Sequence, residues 1–313
     1  MRIPPMLALS VVVLYAFGYP LGALGIAAMS PFLLLFLRFA VSGVLMLGLV
    51  RATDRRLPRG ADLGHAVVVG LLTQATQFLG CYLGLQAGVP AGVAALIIGV
   101  NPAVTTVVAR IALRERLTAR RALAALLGLA AVVTACWSTV PALAHAGAGI
   151  GFTLVGLAGI AVGGVYQQRF CRGVDPLAGN AIGMVVAAVP AGALTVLFGA
   201  TVSDPVQGAL VLVLMVLLSS MTATTLYLRV IGIAGASGAA MLFAVIPSVS
   251  ALFAFLMLGE ALHPGVLAGL VLGGAACALA SLGGRRTPAP DRAVDEPARP
   301  EASAGAVRSD ASR

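Results

Sequence analysis

Two stretches decide the fold of this chain: NPAVTTVVARIALRERLT, residues 101–118, and IPSVSALFAFLMLGEALH, residues 246–263. Each opens on a proline, Pro102 or Pro247, runs through apolar residues, and closes on a Glu-x-Leu, at Glu115 or Glu260. One fixed offset of 145 residues lays the first on the second. Outward from there, the same offset pairs Gly18 with Gly163, Pro31 with Pro176, Tyr82 with Tyr227, and Leu127-Gly128 with Leu272-Gly273, without a gap. Alanine and leucine matches carry little weight in so biased a composition, but Pro, Tyr and Glu are rare here. An internal duplication accounts for the register.

Composition sets the solvent. Of 313 residues 60% are hydrophobic and 10% charged, and the mean hydropathy is +1.03. A soluble domain carries roughly a quarter charged residues. A helix needs about 20 apolar residues to cross a bilayer. Apolar runs at 6–26, 31–50, 63–86, 90–110, 121–140, 149–169, 177–200, 208–229, 233–258 and 264–283 therefore predict an all-α integral membrane protein of ten transmembrane helices. The halves are 1–140 and 149–283, five helices each, and 284–313, rich in Pro, Ala, Arg and Asp, reads as a disordered cytoplasmic tail. The first run is longer than a secretory signal core, and the repeat needs it as the counterpart of the sixth, so it reads as a helix that stays in the membrane.

Five helices per half is an odd number, so the second half must enter the membrane upside down relative to the first. Arginine placement agrees. The net charge of +9 comes wholly from arginine, since the chain has no lysine. With the N-terminus inside, every arginine except Arg38 falls in an inner connection or the tail, and the outer connections hold none. That accounts for the basic balance without nucleic acid as a partner; the partners implied are membrane lipid and a small-molecule substrate. Oligomeric state is not readable from the sequence.

Inverted repeats suit a carrier, because two halves related by an axis in the membrane plane open alternately around a site between them. Polar groups at mid-depth mark where that site falls, since an unpaired one in hydrocarbon costs about 2–7 kcal/mol. Arg38 is the only formal charge well inside a segment. It either faces a cavity and meets an anionic group, or is held by backbone carbonyls or glutamines, or snorkels. Gln74 and Gln77, three apart and so on one helical face, and Asn101 lie at similar depth. With Tyr15 and Tyr19 they either line a cavity or glue helices. In the second half, Ser219 and Thr222 stand at the offset positions of Gln74 and Gln77, and Tyr166 and Gln167 near the inner end of the sixth segment. Pro102 and Pro247 should kink the fourth and ninth segments, for gating or for shape alone. Glu115 and Glu260 read as helix-end anchors, with proton carriage the other reading. Trp137 reads as an interfacial aromatic.

Nothing in the sequence points to an enzyme, a cofactor or a metal. There is no Gly-x-Ser-x-Gly and no His/Asp/Glu cluster at membrane depth, and Cys81, Cys136, Cys171 and Cys277 have neither metal-ligand spacing nor a disulfide pattern.

The paired motifs Leu113-Arg-Glu-Arg-Leu-Thr118 and Leu258-Gly-Glu-Ala-Leu-His263, with Leu37-Arg38-Phe39 and Tyr82/Tyr227, resemble the EamA domain of the drug/metabolite transporter superfamily. The likeness covers about residues 6–283, and Arg114 stands where the family prefers glycine. The resemblance implies a multi-pass carrier of the cell inner membrane, with both termini cytoplasmic. It also implies a central cavity lined by segments one, three, four, six, eight and nine. Many members export amino acids or other metabolites, so efflux of a small polar or amphiphilic metabolite is the expected activity. A channel or scaffold without alternating access is the competing class.

Overall fold

The computed structural model describes residues 3–87, 89, 91–114, 118–135, 137, 147, 149–259 and 264–282. Glu115, Glu260, Cys136 and the tail beyond 283 lie outside the described residues.

The described chain is helical. The first half contains α1 (Pro5–Ala28), α2 (Pro31–Ala52), α3 (Ala61–Gly70), α4 (Gln77–Gln86), α5 (Ala91–Gly99), α6 (Asn101–Leu113) and α7 (Ala119–Ala135). The second contains α8 (Gly149–Phe170), α9 (Pro176–Phe198), α10 (Pro205–Leu214), α11 (Thr224–Ala240), α12 (Ile246–Leu258) and α13 (Pro264–Leu282). Wider π-helical turns at Leu71–Thr76 and Met215–Ala223 join α3 to α4 and α10 to α11. The two π stretches overlap at the repeat offset. Within and just after them, hydroxyls reach back five residues rather than four: Thr76 to the Leu71 carbonyl and Thr222 to that of Leu217, both in 2.8 Å.

By length and composition six helices among the described residues are able to cross a membrane, one of them the 54-residue run Pro205–Leu258. Two expected features take a sharper form. The inner connection expected between residues 229 and 233 is reduced to a break at Gly235, with φ 78° and ψ 170°, where two helices meet inside α11. Only glycine tolerates that backbone without strain. Pro102 and Pro247 do interrupt segments four and nine, but by a break and not by a bend within one helix. Each begins a new one, α6 or α12, after a break at Val100 or Val245. At the first helical positions proline's missing N–H is no loss and its fixed φ fits the helix, so the chain uses the residue as a starter. The interior prolines are Pro20 and Pro190. The far ends of α6 and α12 also correspond: Arg114 and Gly259 both cap in the left-handed region, at φ 52° and 68°.

Asp175 and Asp204 start their helices by accepting from two backbone amides each, at 2.9–3.1 Å, ahead of Pro176 and Pro205. Small residues let the helices approach closely where no hydrophobic effect drives them together. α2 packs along α9 with Gly43 against the Val185 backbone, and α4 along α8 through Gly80, Gly84 and Gly156. The α1–α2 connection joins α9–α10 by a backbone bridge, Met29 to Val202, with Ser30 N donating to Thr201 O in 2.9 Å.

Candidate functional site

Arg38 is 1% exposed. It lies on α2 two turns from Pro31, and its guanidinium crosses to the π-helical stretch of the other half. Nε donates to Ser220 Oγ in 2.7 Å and Nη2 to Ser219 Oγ in 3.1 Å. The Phe78 ring lies beneath the guanidinium carbon, 4.4 Å from centroid to Cζ. Burying an arginine at depth costs about 2.5–3.5 kcal/mol or more. Hydrogen bonds from a charged donor return about 1.5–3 kcal/mol each and a desolvated cation–π contact about 2 kcal/mol. The charge is therefore held without an acidic partner. Serines were not foreseen as its partners, although Ser219 was singled out for its place in the repeat.

Ser220 is itself fixed from behind. Asn180, on α9, donates from Nδ2 to the Ser220 carbonyl in 2.8 Å and to Thr225 Oγ1 in 3.0 Å. That carbonyl lies inside the π-helical stretch, so the Asn180 amide ties the stretch to α9. Sequence reading missed Asn180; an asparagine one turn inside the seventh segment was the available signal.

Beside Arg38 is a cavity of about 180 Å³ whose wall includes Tyr15, Tyr19, Gln77, Phe78, Tyr82, Ser219 and Phe243. Tyr15, Tyr227 and Phe243 pack against one another with centroids 5.4–5.8 Å apart. The Tyr15 hydroxyl donates to Thr224 Oγ1 at 3.5 Å. The cavity thus offers one cation, one carboxamide and an apolar wall, part aromatic and part aliphatic.

The structure brings Arg38, Gln77, Tyr15, Tyr19, Tyr82 and Ser219 together at this cavity. The other candidates lie elsewhere. Gln74 is buried without lining the cavity, and its Oε1 has no hydrogen-bond partner. Gln74 and Gln77 were expected on one face; the π stretch between them turns them apart. Asn101 is buried beside Tyr227, accepting from Thr105 Oγ1 in 2.8 Å. Thr222 is exposed on the outside of the bundle. Tyr166 belongs to an aromatic cluster at the end of α8, its hydroxyl 2.8 Å from His65 Nδ1, and Gln167 lines a separate groove.

The halves depart from symmetry at the arginine. Gly183 stands at the offset position of Arg38, and Gln74 at that of Ser219. Gly183 packs against Gly70, and Gln74 Cγ lies 3.9 Å from where a Cβ on Gly183 would be. The long side chain is thus on α2 in one half-site and on the π stretch in the other.

Among the described residues no cluster of three or more His, Cys, Asp or Glu is placed to hold a metal. Connections near the groove carry the charges: Arg55 Nη1 meets Asp175 Oδ2 at 2.7 Å.

A sequence profile described as the EamA-like transporter family matches residues 3–137 and again 147–282. One solved crystal structure is similar in fold, with a TM-score of 0.75 and 18% identity over 88% of this chain and 96% of its own. A search of curated proteins finds no match.

Proposed function

The chain belongs to the EamA-like transporter family, and from that premise we propose that it is a secondary carrier exporting a small polar or amphiphilic metabolite, such as an amino acid, by alternating access. In this reading α5–α6, α7 and the interrupted run from α10 to α12 are counted with the long helices. The halves then make ten crossings of the inner membrane as inverted repeats, with both termini cytoplasmic.

The observation that carries the reading is a buried arginine in the wall of an aromatic cavity between the halves. The serines engage Nε and Nη2 only, and the remaining N–H groups suit a carboxylate or another anionic group of the solute. The tyrosine and phenylalanine faces take an apolar body. Below the cavity, Tyr227, Leu228, Ile231 and Phe243 belong to one buried apolar cluster, each at most 5% exposed. In this reading that cluster, with Phe243 in the cavity wall and Leu228 and Ile231 in the separate groove, closes the cavity toward the arginine-rich side, as alternating access requires.

Counterflow in proteoliposomes tests the proposal. Unlabelled amino acid trapped inside should accelerate entry of the labelled form. Entry that is indifferent to trapped solute, for a solute that passes, would assign a channel instead.

A further inference from the structure

At the opposite ends of these helices lies a second hollow, about 790 Å³, between α8, α9 and α11. Its wall carries Arg55, Arg172 and Arg229 against one acid, Asp175. The acid is already engaged: Oδ2 accepts from Arg55 and Oδ1 from the Leu177 and Ala178 amides. Arg172 uses its Nε on the Gln168 carbonyl, leaving its terminal nitrogens for another acceptor. Arg229 is exposed and makes no hydrogen bond or ion pair among the described residues. The neighbouring hollow has the same arginine richness without the excess, since Arg55, Arg56 and Arg59 there face Asp54, Asp62 and Asp175. Of the two hollows, the groove is the one that carries unmatched positive charge.

We propose that this groove seats the phosphate headgroup of an anionic phospholipid, with an acyl chain running along α11. The arginines stand where α8 ends at Phe170 and α9 begins at Pro176, the depth of a headgroup in the orientation proposed above. The wall beside them is apolar, through Leu226, Leu228 and Ile233, and Gly232 leaves it open, with nothing within 4 Å of where its Cβ would stand. A soluble phosphate has no use for that apolar wall; a lipid does. Basic pockets between membrane helices on the cytoplasmic side are suited to anionic headgroups, and each arginine near the surface contributes about 1 kcal/mol. The buried apolar cluster beneath the cavity separates the groove from Arg38, so the lipid is not a competitor for the transported solute in this state.

Native mass spectrometry of the purified full-length chain, with added phosphatidylglycerol or phosphatidylcholine, reads the site directly. Phosphatidylglycerol should be retained in preference. Arg229→Gln should weaken that retention about fivefold, the equivalent of one surface arginine, and Arg110→Gln, outside the groove, should leave it unchanged. Arg229 bonds to nothing described, so its loss does not threaten folding; Arg172→Lys supplies a second, charge-keeping variant and should retain the lipid. Equal retention of the two lipids, or wild-type retention by Arg229→Gln, overturns the proposal. Displacement of phosphatidylglycerol by millimolar inorganic phosphate also overturns it, in favour of a soluble anion. The measurement needs no transported solute, so its failure leaves the carrier reading intact and a failed counterflow leaves the lipid result intact.

Discussion

The Arg38 guanidinium leaves its own half of the chain to reach Ser220 in the other, Nε to Oγ in 2.7 Å. A buried cation is thereby made part of the contact between the two halves. If the solute's anionic group meets Arg38, Arg38→Lys keeps the charge without the planar fork and Arg38→Gln loses both. The expected result is a KM raised about tenfold by Lys and about a hundredfold by Gln, in keeping with about 1.5–3 kcal/mol for a charge-assisted contact. Normal insertion of Arg38→Gln with wild-type rate and affinity would remove the case for an anionic solute.

Asn180 is predicted to set the position of that guanidinium through Ser220. Asn180→Ala leaves the Ser220 carbonyl without its donor, at a cost of about 1–3 kcal/mol. KM should rise several-fold while kcat changes little, and Asn180→Asp, whose carboxylate has no N–H to give, should behave like Ala. A loss of folded protein with KM unchanged in what remains would reduce Asn180 to a packing residue.

Where α3 meets α9, a methyl group has no room. A Cβ on Gly70 would overlap the Gly183 backbone, whereas a Cβ on Gly183 would lie 3.2 Å from Gly70 Cα. Gly70→Ala should therefore destabilise by about 1–3 kcal/mol, more than Gly183→Ala. Gly48→Ala, with nothing within 4 Å, is the neutral control. Thermal unfolding in one detergent ranks the three, and equal midpoints would contradict the close contact.

Burial, with the Asp62 carboxylate adding to it, pushes the Cys171 thiol up to about 11. A raised pKa keeps the thiol neutral until the pH climbs toward that value. With the other cysteines replaced, maleimide labelling should be slow at pH 7 and rise about tenfold per unit through pH 9. Asp62→Asn should hasten it. A rate that levels off by pH 9 would indicate an ordinary thiol.

The orientation is checked with cysteines introduced at Ala119 and Ser303 in a cysteine-free background. Both should resist an impermeant reagent in sealed cells and react once the cells are opened. Labelling of either from outside would sink the inverted arrangement.

The helices most legible in the sequence are those bounded by strong punctuation. Asp175-Pro176 and Asp204-Pro205 start α9 and α10 where a capping carboxylate followed by proline says they should. The interruption at Gly235 was legible only as a gap between the runs ending at 229 and beginning at 233; the residue that breaks was not, because an isolated glycine in an apolar run is common and only tertiary packing selects φ 78° there. The π stretches were invisible for a related reason: face assignment assumes an α-helical turn. That assumption put Gln74 on the face of Gln77 and Thr222 in register with a cavity it does not reach. Arg38 was legible because a charge at depth demands an explanation, while its serine partners were not, since a hydroxyl is inconspicuous until a cation is placed beside it.

The exchange of bulk between Arg38 with Ser219 and Gly183 with Gln74 bears on ancestry. In a dimer of identical subunits every substitution appears twice across the symmetry axis, so an arginine at this position would come as two like charges at corresponding places. Once the halves are fused, each copy is free to drift, and a single guanidinium can be kept while its twin shrinks to a glycine. Duplication within one chain thus permits something a homodimer is denied: a single positive pole, without a twin, at the seam of the two halves.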